Sequence, residues 1–174
     1  DLAMAALAMA HLKAPKGRGE RHRVETPLGP FTVIDESYNA NPASMRAALE
    51  ALGQAKPEAQ GRRIAVIGDM LELGDDSIAM HRGLAETIRE ADVDLVFASG
   101  PHMRELFKAL PAGTQGAYGE TSDELGEALR EAVEPGDVVM VKGSLGSRMG
   151  PIVDLLRGLG DDEGESIRRN RGGN

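Results

Sequence analysis

A chain of 174 residues can form one domain with a substantial hydrophobic core, since a chain of this size buries roughly 70% of its unfolded surface on folding. The formal net charge of −8 argues against a nucleic-acid-binding surface, and the absence of cysteine rules out disulfides and thiolate metal sites. Only 3% of the residues are aromatic, so we expect a core of aliphatic residues and methionine, as in layered α/β proteins.

The chain begins with an apolar helical pattern, DLAMAALAMAHLK. This run is too short to span a bilayer and lacks the basic start of a signal peptide, so we expect a soluble, cytoplasmic protein that binds no membrane. We interpret residues 1–13 as the end of a helix whose packing partners precede this chain, although a complete N-terminal helix would give the same pattern. A basic connector rich in Pro and Gly follows at residues 13–20.

Strand and helix patterns alternate along the rest of the chain. Continuous or alternating apolar runs bounded by Gly and Pro predict strands, and apolar residues at i, i+3, i+4 and i+7 predict helices. The predicted strands lie at residues 21–26, 31–35, 64–67, 93–98, 115–118 and 138–141. The predicted helices lie at residues 42–52, 77–88, 103–110, 122–133 and 149–159. Ser77 could cap the second of them, which carries Ile78, His81, Leu84, Ala85 and Ile88.

The order of these elements predicts an α/β fold. The first two strands flank the turn Pro27-Leu-Gly-Pro30 and are expected to form a β-hairpin. The later strands alternate with helices, which predicts right-handed crossovers and a doubly wound, mainly parallel sheet. Ligands of such sheets bind beyond the carboxyl ends of the strands. Residues 160–174 pass from acidic to basic with one apolar residue and predict a disordered tail.

The turn after the second strand carries a dense group of polar residues. Asp35, Tyr38, Asn39 and Asn41 lie between that strand and Pro42, a residue suited to the first position of a helix. A loop of this kind often binds a ligand, and these side chains could hydrogen-bond a nucleotide. Asp and Asn are also ordinary turn and cap residues, and spacing alone favours that structural role.

A second group follows the strand at 64–67. Asp69 lies directly beyond this strand, and His81 lies on the next helix. His81 can act chemically, or it can orient Asp69 or the loop at residues 70–74 through a hydrogen bond. The histidines of the chain have no metal-ligand spacing, so we predict no metal site.

The segment KGSLGSRMG at residues 142–150 follows the last strand and precedes a helix. Lys142, Ser144 and Arg148 supply two cations and a hydroxyl, and the glycines expose backbone amides. This composition predicts a site for a carboxylate or phosphate, although a Gly-rich connection with a solvated lysine is an alternative. Neither GxxxxGK(S/T) nor GxGxxG occurs in the sequence, so the chain lacks the usual phosphate-binding loops.

Three segments in order resemble the Mur ligase family, the ATP-dependent ligases of peptidoglycan synthesis. They are IDESYNANPASM at residues 34–45, GDMLELG at 68–74 with His81 beyond it, and VKGS at 141–144. The resemblance covers residues 1–159 and only the C-terminal part of such an enzyme. It implies a Rossmann-like C-terminal domain at residues 20–159, after residues 1–19 as the end of an ATPase domain and its linker.

The three segments are most similar to those of the family members that add D-alanyl-D-alanine to UDP-N-acetylmuramoyl-tripeptide. The residues thereby implied to bind nucleotide are Asp35, Tyr38, Asn39 and Asn41. The residues implied to bind the dipeptide are Lys142, Ser144 and Arg148, with Asp69 and His81 in possible support. The resemblance further implies that ATP and Mg²⁺ are bound mainly by the preceding domain. We therefore expect no catalytic residue in this chain, no activity of the chain alone, and a monomer.

Two features depart from the family pattern, and two alternatives come from other classes. Glu36 stands where these ligases often have Asp, and Leu145-Gly146 lengthens the last loop. A receiver-like phosphorylatable signalling module is one alternative, because acidic residues, Ser99 and Lys142 follow successive strands. Against it, no strand lies between residues 36 and 63, and Lys142 precedes Gly instead of Pro. The other alternative is a nucleotide-sugar-binding module unrelated to ligases.

Overall fold

The structure is a computed structural model that describes residues 16–171, with side chains to residue 160. The helix predicted at residues 1–13 lies outside the described residues. The strands are β1 (Glu20–Val24), β2 (Phe31–Glu36), β3 (Arg63–Gly68), β4 (Leu95–Ser99), β5 (Gln115–Gly119) and β6 (Val138–Lys142). The α-helices are α1 (Pro42–Gln54), α2 (Ser77–Arg82), α3 (Leu84–Glu90), α4 (Met103–Ala109), α5 (Gly126–Ala132) and α6 (Gly150–Arg171). Short 3₁₀ helices lie at Gly74–Asp76, Ala112–Thr114, Ser122–Leu125 and Leu145–Ser147.

Within the described part of the chain, the strands form one sheet in the order β1-β2-β6-β3-β4-β5. β1 and β2 form the predicted antiparallel hairpin, and the other neighbouring pairs are parallel. From β2 to β5 the chain moves in one direction across the sheet, and it then returns to place β6 between β2 and β3. Right-handed crossovers in opposite directions lie on opposite faces, so this return moves α5 to the second face. The doubly wound, mainly parallel fold is confirmed.

Two hydrophobic cores lie on the two faces of the sheet. On one face, α1, α3 and α4 pack against a cluster that includes Ile34 and Met140. On the other face, α5 and α6 pack against Val33 and Val139. Successive residues of a strand point to opposite faces, so neighbours such as Val33 and Ile34 enter different cores. Burial on both faces explains why these strands are continuous apolar runs.

The same alternation separates the polar residues at the end of β2. β2 and β6 pair in register, with Asp35 beside Val141 and Glu36 beside Lys142. Asp35 therefore shares a face with Val33, whereas Glu36 and Lys142 share the face that α1 covers. Two adjacent acidic residues thus point to opposite sides of the sheet.

α1 begins with a complete capping box. Asn41 Oδ1 accepts a hydrogen bond from the Ser44 amide at 2.8 Å, and Ser44 Oγ accepts one from the Asn41 amide at 3.1 Å. Pro42 occupies the first turn, where the missing amide hydrogen costs nothing. The helix then buries Met45, Ala48, Leu49 and Leu52, the face that the sequence periodicity predicts.

The helix predicted from Ser77 differs from the observed structure. It is divided at Gly83 into α2 and α3, and Ser77 is the first residue of α2 instead of its cap. Ile78 is 56% exposed, whereas the polar residues Ser77 and His81 are buried. Hydrogen bonds of these two polar side chains set the inward face, and an apolar pattern does not reveal them.

The last helix, α6, continues to Arg171, where the sequence predicted a disordered tail from residue 160. Residues 161–171 contain no proline, and acidic residues precede basic ones. That order favours a helix, since basic residues near a helix C-terminus complement the helix dipole. Residues 172–174 lie outside the described residues, and the domain boundaries at residues 19 and 159 stay predictions.

Candidate functional site

Three clefts open at the carboxyl edge of the described sheet. The cationic cleft is lined by Gly17, Arg18, Glu36, Tyr38, Asn39, Asn41, Ser44 and Lys142. The leucine cleft is lined by Asn39, Ala40, Asn41, Leu71, Glu72, Leu73, Ser144, Leu145 and Gly146. The Asp69 cleft is lined by Asp69, Leu71, Ser99, Gly100, Pro101, His102, Glu120, Thr121, Ser122, Asp123, Gly146, Ser147 and Arg148. Each of the clefts therefore draws its lining from several strand ends.

Lys142 forms the floor of the cationic cleft. It is the last residue of β6 and only 4% exposed, and its Nζ donates a hydrogen bond to the Asn39 carbonyl at 2.8 Å. The same atom lies 3.8 Å from Glu36 Oε2. Burial lowers the pKa of Lys142, and the Glu36 charge opposes this shift. The ammonium group is a cation taken largely out of water, held at a cleft and joined to the β2–α1 loop.

The rim of the cationic cleft carries polar and aromatic groups. The Arg18 guanidinium lies over the Tyr38 ring at 4.4 Å from its centroid, and Tyr38 is 49% exposed. Asn39 and Asn41 are exposed beside them. The side-chain oxygen Oδ1 of Asn41 accepts the capping hydrogen bond of α1, as the structural alternative predicted. A ligand would therefore contact the side-chain NH₂ group of Asn41. Neither Arg18 nor Glu36 was predicted as a site residue: nothing in the connector pattern marks Arg18, and Glu36 stood out only as a departure from the family pattern.

Asp35 has a different position from the other predicted nucleotide residues. It is 1% exposed, and its carboxylate accepts hydrogen bonds from the Gly17 amide at 3.1 Å and from the Ser37 amide and hydroxyl at 3.0 and 2.6 Å. It does not line the cationic cleft. Asp35 instead ties the connector at Gly17 to the end of β2.

Ser144 lines the leucine cleft and connects two of its loops. Its hydroxyl accepts a hydrogen bond from the Leu71 amide at 2.9 Å and donates one to the Ala40 carbonyl at 3.2 Å. It thereby joins the loop after β3 to the loop before α1. Leu71 and Leu145 are 39% and 71% exposed at the rim, so this cleft combines apolar walls with backbone polar groups.

Asp69 and Arg148 lie in the third cleft. Asp69 is buried, and its carboxylate accepts hydrogen bonds from the amides of His102 at 3.3 Å and Met103 at 2.9 Å, at the start of α4. Arg148 is exposed and has a left-handed backbone with φ 55°. The sequence analysis grouped Arg148 with Lys142, but the structure places them in separate clefts.

His81 is fully buried and supports the loop after β3. Its Nε2 accepts a hydrogen bond from the Met70 amide at 2.9 Å, which leaves Nδ1 as the protonated nitrogen that donates to the Ser77 carbonyl at 2.6 Å. Burial lowers the pKa of His81, and its contact with the Ser77 carbonyl opposes the shift. The neutral imidazole thus orients the loop, one of the two roles considered from the sequence.

The chain matches a known family. A family model described as "Mur ligase, glutamate ligase domain" matches residues 17–145, which include the lining of the cationic cleft and that of the leucine cleft except Gly146. The chain belongs to the Mur ligase family. This membership favours the ligase interpretation over the receiver-like and nucleotide-sugar-binding alternatives.

Individual Mur ligases resemble the chain along most of its length. The UDP-N-acetylmuramoyl-tripeptide–D-alanyl-D-alanine ligase of Mycobacterium tuberculosis (strain ATCC 25618 / H37Rv) is 36% identical over 93% of this chain and 35% of its own length. A crystal structure of MurF from Acinetobacter baumannii superposes with a TM-score of 0.69 and 26% identity, over 92% of this chain and 33% of that one. The chain spans about a third of the length of these Mur ligases.

The MurF ligase from Thermotoga maritima, solved in complex with ADP, shares the fold. Its TM-score is 0.71 at 24% identity, over 92% of this chain and 36% of that one. Among the described residues, no helix is both long and apolar enough to cross a membrane.

Proposed function

We propose that this chain is the C-terminal domain of an ATP-dependent ligase that joins D-alanyl-D-alanine to UDP-N-acetylmuramoyl-tripeptide in peptidoglycan synthesis. The observation that carries the proposal is the adjacency of the cationic and leucine clefts, which share Asn39 and Asn41. An anionic ligand in one cleft would lie beside a small ligand with apolar side chains in the other. The printed activity of the Mycobacterium tuberculosis relative supports the identity of both ligands.

The nucleotide would occupy the cationic cleft. Lys142 and Arg18 supply positive charge, and Asn39 and Asn41 supply amide groups at the rim. Tyr38 contributes a half-exposed ring. A buried ammonium with one donor committed to Asn39 keeps two donors for phosphate oxygens. Lys142, which the sequence analysis assigned to the dipeptide, is therefore proposed here as a nucleotide contact.

The dipeptide would occupy the leucine cleft. The methyl side chains of D-alanyl-D-alanine are small enough to pack on Leu71 and Leu145, and Ser144 fixes the loops that carry these walls. The leucine and Asp69 clefts share Leu71 and Gly146. A dipeptide extending along this shared wall would bring its carboxylate towards Arg148, consistent with the role predicted for that residue.

The residues present fit the nucleotide but not Mg²⁺. The cationic cleft has two cations and one carboxylate, Glu36, which already lies near Lys142. Such a site attracts phosphate and repels a divalent cation. Mg²⁺ bound with ATP would be held outside this chain, where it would neutralise charge on the transferring phosphoryl group.

The contribution of this domain would be positional. The preceding domain would phosphorylate the tripeptide carboxylate, and the amine of D-alanyl-D-alanine would attack that acyl phosphate. Residues of the two adjoining clefts would hold the reactants in register and exclude water, which is worth several kcal/mol in effective concentration. The monomeric state and the cytoplasmic location stay predictions.

Asn41 offers a test because its two roles can be separated. In the full-length protein, Asn41→Ser should keep the α1 cap, since serine is an equally good capping residue, but should remove the amide. We expect a KM for ATP raised roughly 5- to 150-fold, the loss of one hydrogen bond worth about 1–3 kcal/mol. The KM for D-alanyl-D-alanine should rise less than the KM for ATP, although Asn41 also lines the leucine cleft. A change in the dipeptide KM alone would show that the two clefts had been exchanged.

Arg148 and the dipeptide carboxylate can be tested together. D-alanyl-D-alaninamide, which lacks the carboxylate, should react more weakly than D-alanyl-D-alanine with the unaltered full-length protein, by roughly tenfold for a lost charge-assisted bond. Arg148→Ala should abolish this preference. If the amide and the dipeptide react equally well before any substitution, the proposed carboxylate contact does not exist.

A further inference from the structure

A cluster of potential metal ligands lies on the hairpin, on the opposite side of the sheet from the cationic cleft. Glu20 and His22 are alternate residues of β1 and share one face, and Asp35 is the cross-strand partner of Glu20 on β2. One ligand atom from each of the three side chains lies within 4.8 Å of the others. Histidine spacing in the sequence predicted no metal site. This cluster could not be found in that way, because the pairing of β1 with β2 brings its residues together.

His22 supplies an observation that points to a ligand. Its Nε2 atom is buried and has no hydrogen-bond partner among the residues that the structure describes. Glu20 Oε2 lies 3.5 Å from this atom, near but outside a bonded geometry. The His22 side chain as a whole is 13% exposed and that of Glu20 is 32% exposed. A buried ring nitrogen without a partner is costly, and a coordinated cation would satisfy it.

The Asp35 carboxylate is oriented by hydrogen bonds, as metal-binding carboxylates usually are. Its oxygens accept three hydrogen bonds, one from the Gly17 amide and two from Ser37. A carboxylate has about four lone-pair positions, so roughly one remains for a further partner. Outer hydrogen bonds of this kind orient a ligand and raise the affinity of a metal site.

We propose that Glu20, His22 and Asp35 form a binding site for Zn²⁺. One imidazole nitrogen and two carboxylate oxygens form a ligand set that suits Zn²⁺, whereas Mg²⁺ prefers oxygen ligands alone. The exposed side of Glu20 leaves room for water as a fourth ligand. The ligands come from both strands of the hairpin, and Asp35 also holds Gly17. The bound metal would therefore clamp the connector at residues 17–19 to the sheet.

Zinc binding to the metal-free 174-residue chain tests the proposal. Isothermal titration should give one Zn²⁺ per chain, and saturating Zn²⁺ should raise the melting temperature by several degrees, since a ligand that binds only the native state stabilises it. His22→Gln and Glu20→Gln should each weaken binding at least tenfold and reduce the shift in melting temperature at the same Zn²⁺ concentration. Glu25→Gln, at an exposed carboxylate beyond the end of β1, is the matched control and should bind like the unaltered chain.

Two measurements make the test decisive. Co²⁺ used in place of Zn²⁺ should develop visible absorption bands in the unaltered chain and in Glu25→Gln but not in His22→Gln, which reports imidazole coordination directly. Far-UV circular dichroism of the metal-free variants should match that of the unaltered chain, so that lost binding is not lost folding. If Zn²⁺ does not bind, or binds equally well to His22→Gln, the cluster is only a paired histidine and glutamate and the proposal is overturned.

Discussion

Lys142 is a buried cation whose burial costs stability, and we propose that its role is to contact the nucleotide. A charged ammonium is taken out of water at the end of β6, where the Asn39 carbonyl accepts its hydrogen bond at 2.8 Å and Glu36 Oε2 lies 3.8 Å away. Burial lowers the pKa of Lys142 below its ordinary value near 10.5. The unfolded chain therefore binds this proton more readily than the folded chain, and at neutral pH the charged group reduces stability.

Lys142→Met is expected to separate stability from binding. The apolar side chain fills the same space without a desolvation cost, and the Glu36 side chain, 28% exposed, remains accessible to water. The free energy of unfolding in urea should be unchanged or higher, whereas the KM for ATP of the full-length protein should rise roughly tenfold or more. A loss of stability of about 3 kcal/mol would instead identify Lys142 as a structural ion-pair residue.

His81 makes a pH-dependent contribution to stability. Its folded pKa lies below the unfolded value near 6.5, so its contribution is fully present above about pH 6.5 and is lost as the pH falls through the folded pKa. His81→Gln, which does not titrate, should cost about 1–3 kcal/mol at pH 7.5. The difference in stability between the two proteins should shrink at lower pH. Urea unfolding of both proteins at pH 7.5 and pH 5.5 measures this, and a constant difference would contradict the role assigned to His81.

At the scale of elements, the loops at the carboxyl edge are fixed to one another by buried polar side chains. Ser144 joins the loop after β3 to the loop before α1, and Asp69 joins β3 to the start of α4. These bonds link segments distant in the sequence, so the clefts form only when β6 is placed between β2 and β3. The position of each wall is therefore a property of the assembled sheet.

Gly100 tests the junction between Asp69 and α4. Its φ is +108°, and a Cβ at this position would lie 2.4 Å from Asp69 Cγ. Gly100→Ala should displace the buried carboxylate from the amides of His102 and Met103 and strain the backbone, at a cost of about 2–4 kcal/mol. Gly113→Ala is the control, since a Cβ there meets nothing within 4 Å. Equal midpoints for the two variants in urea unfolding would show that α4 does not depend on this contact.

At the scale of the whole molecule, the chain belongs to the Mur ligase family but contains none of the usual phosphate-binding loop motifs. The family match begins at residue 17 and the sequence contains no GxxxxGK(S/T) motif. The isolated chain should fold but should not hydrolyse ATP, because the two clefts supply binding groups and no phosphoryl-transfer machinery. An assay of phosphate release by the purified chain checks this, with the Lys142→Met chain as a background control. Turnover by the unaltered chain that disappears in that control would contradict the division of labour proposed here.

Much of the fold was accessible from sequence because it depends on local physical rules. Apolar runs bounded by Gly and Pro marked the strands, and the 3.6-residue period marked the buried face of α1. Alternation of strands with helices limited the sheet to a doubly wound topology, because crossovers are right-handed. The split at Gly83 and the exposure of Ile78 were not predictable in this way, since buried hydrogen bonds of Ser77 and His81 decide the orientation of α2.

The features of the candidate site also divide into those that the sequence determined and those that only the tertiary structure decided. The sequence by itself determined which segments carry the polar residues, and its motifs identified the Mur ligase family, since a short loop between a strand and a capped helix is a local pattern. Tertiary structure alone decided that Asp35 faces away from the cationic cleft and that Lys142 enters it without Arg148. The reason is the period of two along β2 and the insertion of β6 between β2 and β3, which together set the face and the neighbour of each strand-end residue.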